Sequence, residues 1–159
     1  MQTMCRLVVL AAAFIALPCG GAAAQALAPG EVMVRGSPPV TFRVAVKVSN
    51  LMPDVTHVRV RCVLQQGVTP IVHGETTAQV SSSGNFDGVV TVPVNVLYPN
   101  QSEAKISQAT NYNCALHLVN NANPPQLWEP DRVNAPVWAQ PKPGTTFVKN
   151  IGGKFPPRR

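Results

Sequence analysis

Acidic side chains are scarce in this 159-residue chain: seven, against thirteen lysines and arginines. Charged residues of both signs reach only 13%, about half the share usual in soluble domains, and aromatic residues only 6%. Beyond residue 26 no apolar run approaches the roughly 20 residues of a membrane-spanning helix. Leucine is also short, 7 against 22 valines over residues 27–159, and β-branched side chains suit a pleated sheet better than a helix. A coiled coil, a helical bundle and a wholly disordered chain are excluded together. What remains is one all-β domain.

Motifs of catalysis are missing as well. There is no Gly-x-Ser-x-Gly elbow and no glycine loop of the kind that cradles phosphate. His57, His73 and His117 lack the close spacing of a metal-binding pair and read as solvated surface residues, His73 in a loop beside Gly74. Glu129 and Asp131 are neighbours, but Pro130 and Arg132 beside them make a charged loop the simpler reading. No catalytic residue, metal or cofactor is therefore assigned, and the chain is not expected to be an enzyme. Nucleic acid is a poor partner, because basic and aromatic residues do not interleave.

The N-terminus has the pattern of an export signal. Met1–Arg6 carries one positive charge, Leu7–Leu17 is apolar but short, and Ala22-Ala23-Ala24 and Ala24-Gln25-Ala26 each set small residues where a signal peptidase cuts. Residues 1–26 read as a removable signal, 27–141 as the domain core, and 142–159 as a basic C-terminal strand and tail. Cys19 raises the alternative of a lipid-anchored N-terminus, although Pro18 stands where lipoprotein signals usually place a small residue. The expected location is periplasmic or secreted, with no transmembrane segment in the mature chain. Cys5 and Cys19 leave with the signal. Cys62 and Cys114 remain as an even pair in an oxidising compartment, which predicts a disulfide.

Hydrophobic alternation marks the strands. Phe42, Val44, Val46 and Val48 share one face, with Thr41, Arg43 and Lys47 on the other. Turn residues at 50–54 follow, and Val58, Val60, Cys62 and Leu64 resume the alternation, so the two runs read as an antiparallel hairpin. Residues 31–35, 71–80 and 86–97 are further candidates, with Gly74 interrupting the second and Pro93 marking an edge or a bulge in the third. Ser102–Gln108 suggests a helical turn or two capped by Ser102. Tyr112, Cys114, Leu116 and Leu118 share an inward face, and Thr145–Ile151 is a plausible last strand. Both retained cysteines face inward, so a bridge between them is expected to tie one sheet to the other.

Tyr112-Asn113-Cys114 resembles the Tyr-x-Cys of immunoglobulin-type sandwiches, whose tyrosine sits at a corner two residues before the second bridging cysteine. Ser102–Gln108 is similar to the turn that often precedes it. The resemblance spans roughly residues 40–120 and departs in two respects: no tryptophan follows Cys62 at the distance where that family packs one on the bridge, and the aspartate usual before the tyrosine is absent. It implies an immunoglobulin-like antiparallel β-sandwich of about seven strands with one inter-sheet disulfide. It implies no catalytic residues, and the fold alone chooses no function.

Three features remain as candidate contacts. The expected hairpin gathers Arg43, Lys47, His57, Arg59 and Arg61 on one outward face, with Arg43 opposite Arg61 and Lys47 opposite His57. Such a face suits an anionic partner, unless a neighbouring strand neutralises it with Glu75 or Asp87. Six prolines fall within residues 124–143, together with Trp128 and Trp138; this Pro/Trp-rich stretch reads as an ordered loop whose tryptophans either contact a ligand or close the end of the sandwich. The last residues, with Lys142, Lys149, Lys154, Arg158 and Arg159 and no acid, form a basic tail frayed from Phe155 onward. The expected function is an exported, non-catalytic binding or envelope-structural module that recognises an anionic envelope polymer or a protein. An assembly subunit pairing through an edge strand, and a metal-dependent periplasmic enzyme, are the alternatives.

Overall fold

Valine at alternate positions builds strands here because each pleat sends successive side chains to opposite faces. The structure, a computed structural model, describes residues 32–35, 40–129, 134–140, 142–145 and 151–155; the predicted signal lies outside them. The described strands are β1 (Val32–Arg35), β2 (Val40–Val48), β3 (Val55–Gln66), β4 (Thr69–Gln79), β5 (Phe86–Val94), β6 (Val96–Leu97), β7 (Asn111–Asn120), β8 (Leu127–Trp128) and β9 (Ile151–Lys154). One four-residue helix, α1 (Glu103–Ile106), precedes β7. All strand pairings are antiparallel. Nine strands thus stand among the described residues against the seven or so expected; the two extra are β6 and β8, edge pieces of two residues each.

β1, β2 and β5 make a three-stranded sheet, and the other six strands make a second, ordered β6-β4-β3-β7-β8 with β9 also on β7. The two sheets share one core. Phe42, Val44, Val46 and Val48 from β2 and Val90, Val92 and Val94 from β5 meet Val58, Val60 and Leu64 from β3 and Leu116 and Leu118 from β7. These are the inward positions of the alternation, and burying each such side chain contributes about 1.5–3 kcal/mol.

The predicted hairpin of β2 and β3 does not form. β2 pairs with β1 and β5, whereas β3 pairs with β4 and β7. The link between them explains the difference. Asn50 N donates to Asn85 Oδ1 at 3.0 Å and Leu51 N donates to Gly84 O at 3.0 Å, so this turn is stapled to the 81–85 turn and carries the chain from one sheet to the other. The hairpin in this region is β3–β4, closed between Gln66 and Thr69 by a tight turn with Gly67 at φ 59°.

The disulfide joins the predicted cysteines but not the predicted layers. Cys62 and Cys114 are direct neighbours on β3 and β7 of the six-stranded sheet. The bridge is therefore within one sheet, and the expected inter-sheet tie is corrected. An inward-facing cysteine on each strand fits either arrangement, since adjacent strands also bring facing side chains together.

Gly74 and Pro93 mark a corner. β4 is continuous through Gly74 instead of broken there, and His73 lies in this strand instead of a loop. A side chain at Gly74 would collide with the Pro93 carbonyl, so only glycine lets β5 pass so close. Pro93 sits on an edge strand, as the sequence suggested. Just beyond it, at Asn95, the chain leaves the three-stranded sheet and β6 joins β4. That switch turns Val96 outward, 50% exposed, although in sequence it continues the alternation of Val90, Val92 and Val94.

The C-terminal expectation also changes. The described last strand is Ile151–Lys154, beginning where the predicted one ends; residues 146–150 lie outside the described residues. Phe155 is not frayed: it is buried in the core, and its N–H donates to Thr110 O at 2.7 Å.

Candidate functional site

The only buried polar side chain among the described residues is Asn120, at the end of β7. Its Oδ1 accepts from Ala122 N at 3.2 Å and Gln126 N at 2.8 Å, and its Nδ2 donates to Gln126 Oε1 at 3.1 Å. Asn120 N donates to Gln126 O at 3.2 Å. One amide thus closes the 121–126 loop and turns the chain back as β8. A buried amide with donor and acceptor both engaged fixes a single loop geometry.

β8 pairs Leu118 with Trp128 and Val119 with Leu127. Leu118 points into the core, so Trp128 falls on the inner side of the sheet edge and Leu127 on the outer side. Trp138 arrives separately, from a 3-10 turn at Val137–Ala139 anchored by buried Ala139, and packs partly against the core. The structure brings the two tryptophans together. With Gln126, Leu127, Asn134 and Pro136 they line an open groove of about 480 Å³. Both are half-buried, between the two alternatives of exposed contact and core lid. Their indole nitrogens are sealed from solvent without a hydrogen-bond partner among the described residues, so the ring faces and the amides of Gln126 and Asn134 are what the groove offers. Val137, 70% exposed, and Leu127 add apolar surface nearby.

The five-residue basic face is not one surface. Arg43 and Lys47 belong to the three-stranded sheet, and His57, Arg59 and Arg61 to the other. Lys47 Nζ lies 3.2 Å from Asp87 Oδ2 with both side chains more than half exposed, a pair worth well under about 1 kcal/mol. Arg59 Nη1 donates to Glu75 Oε1 at 3.0 Å. The neighbouring strands therefore supply both carboxylates that the sequence raised as neutralising partners. Arg61 has another arrangement: its Nη2 donates to Tyr98 Oη at 3.1 Å, and the Tyr98 ring packs on His73 with centroids 4.8 Å apart.

His117 also departs from its expected solvation. Its side chain is only 17% exposed, with Nε2 3.7 Å from Glu129 Oε1. Burial pushes its pKa below the ordinary value; Arg59 and Arg61 push the same way, while Glu129 and Glu75 pull back. The ring is thus predominantly neutral near pH 7, and its approach to Glu129 is not an ion pair. Among the described residues no group of three or more His, Cys, Asp or Glu is placed to hold a metal ion. Of the predicted basic tail, Lys142 and Lys154 are described and stand apart, on a turn and on β9. Lys149, Arg158 and Arg159 lie outside the described residues.

Sequence reasoning missed Asn120, Gln126 and Asn134. An asparagine at a strand end reads as an ordinary turn residue, and nothing in its spacing announces burial. Comparisons with protein families, with characterised proteins and with solved structures find no match for this chain.

Proposed function

We propose that the protein is an exported, non-catalytic binding module that holds a glycan chain of the cell envelope in the groove between Trp128 and Trp138. The observation that carries this reading is the pairing of two tryptophan rings with two side-chain amides around one open groove. Flat aromatic faces stack on the apolar face of a sugar ring, and an amide supplies both a donor and an acceptor for its hydroxyls. The volume lies in the range of about 300–1,000 Å³ typical of small-molecule sites. Among the described residues the groove is lined by no charged side chain, which suits sugar hydroxyls. Export is supported by the signal pattern. The Cys62–Cys114 bridge is compatible with an extracellular or periplasmic setting, and no helix of the described residues is long and apolar enough to cross a membrane.

The same reading extends to the architecture. The order β1-β2-β5 facing β4-β3-β7-β9 corresponds to strands A-B-E facing C′-C-F-G of an immunoglobulin-like sandwich. α1 and Tyr112-x-Cys114 then stand where that fold places its corner. The bridge departs from the family by joining the C-like and F-like strands.

Titration of the oxidised protein with envelope polysaccharide, followed by tryptophan fluorescence, tests the function. Binding should shield the tryptophans from iodide, and Trp128→Ala should weaken it at least tenfold with the β-sheet circular dichroism unchanged. Undiminished binding by folded Trp128→Ala and Trp138→Ala variants would remove the proposal.

A further inference from the structure

We infer that the glycan is acidic, and that a carboxylated sugar unit seats in a second recess, against Arg59, on the other side of β8. This rests on the glycan reading of the tryptophan groove. The recess holds about 300 Å³ and is lined by His57, Arg59, Thr77, Val119, Pro125 and Leu127. Leu127 lines both recesses. A chain stacked on the tryptophans and passing over this leucine, itself 36% exposed, reaches the second recess directly.

The lining explains the charge preference. Among the described residues it contains one arginine and no carboxylate. Arg59 is 25% exposed, and Glu75 engages it only through Nη1. That contact holds the guanidinium in place while leaving part of its surface on the recess. Thr77 is the direct cross-strand neighbour of Arg59, which sets a hydroxyl beside the cation. His57 is held from behind by Thr56 Oγ1, 3.0 Å from its Nδ1. Val119 and Pro125 complete an apolar wall for the sugar ring. Glu75 occupies Nη1 alone, so the rest of the guanidinium remains for a ligand carboxylate, a partner to which arginine makes strong charge-assisted hydrogen bonds.

The test compares oligogalacturonate with its methyl ester, which share a sugar backbone and differ in charge. Wild-type, full-length, oxidised protein is titrated with each by calorimetry. The acid should bind at least tenfold more tightly than the ester. Raising the salt to 1 M should shrink that difference, and Arg59→Gln should abolish it. Trp128→Ala should weaken both ligands alike. Equal affinity of the wild type for acid and ester would overturn the acidic subsite and leave the tryptophan groove standing. Binding of neither would overturn both.

Discussion

Cys62 and Cys114 are cross-strand partners within a single sheet, their Cα atoms 4.0 Å apart, on strands that already exchange backbone hydrogen bonds. The bridge therefore adds little to the layering of the fold. Its principal effect is on the unfolded chain, where it closes a loop between residues 52 apart. Replacing both cysteines by alanine should lower stability by about 2–5 kcal/mol, read from guanidinium unfolding. An unchanged midpoint would refute that role. Unfolded but unreduced wild-type protein should show neither Cys62 nor Cys114 as a free thiol.

Gly74→Ala should destabilise the protein by about 1–3 kcal/mol, the usual range for overpacking, because the added methyl meets the Pro93 backbone rather than a movable side chain. Gly88→Ala is the control: its nearest neighbour is the end of the Phe86 ring, at ordinary contact distance. Urea midpoints that coincide for the two variants would contradict the corner described above.

Asn120→Ala should cost about 2–4 kcal/mol, since it removes several hydrogen bonds at once and leaves the loop amides unpaired. The loop it holds carries β8, so iodide should also quench Trp128 more strongly at temperatures where the sheets remain folded. Loss of stability without any change in quenching would separate Asn120 from the groove.

Stability should fall as the pH drops below about 6.5, the ordinary histidine value. The pKa of His117 is lowered in the folded state, so between that lowered value and about 6.5 the unfolded chain binds more protons than the folded one, and folding becomes less favourable as pH falls. Above this window the contribution is fully present. His117→Gln should flatten the dependence in denaturation curves taken between pH 7.5 and 5; an unaltered slope would assign it to another group.

Much of the layer structure was legible in the alternation. Phe42 through Val48, Val58 through Leu64 and Cys114 through Leu118 face inward as their spacing requires, because a period of two fixes the face of every residue in a strand. It does not fix the strand's neighbours. The 50–54 turn looked like a hairpin loop, yet its bonds to Gly84 and Asn85 send β2 and β3 into different sheets, and the basic face divided with them. Trp128 and Trp138 were singled out by residue type, but their meeting depends on β8 pairing with β7. That pairing depends on Asn120, whose burial is set by tertiary packing and carries no local signal.

The separation of β2 from β3 has a consequence for the order in which the molecule can assemble. Val48 pairs with Phe86 and Val40 with Val94, so the β2–β5 pairing of the smaller sheet waits for residues 38 to 54 positions downstream, while β3 and β4 can zip together across their two-residue turn as soon as both are present. Long-range pairing of this kind is slow. A chain threaded through a membrane from its N-terminus could pair β2 with β1 at once but would leave the other edge of β2 open until β5 arrives, an interval in which a chaperone would find its valines within reach.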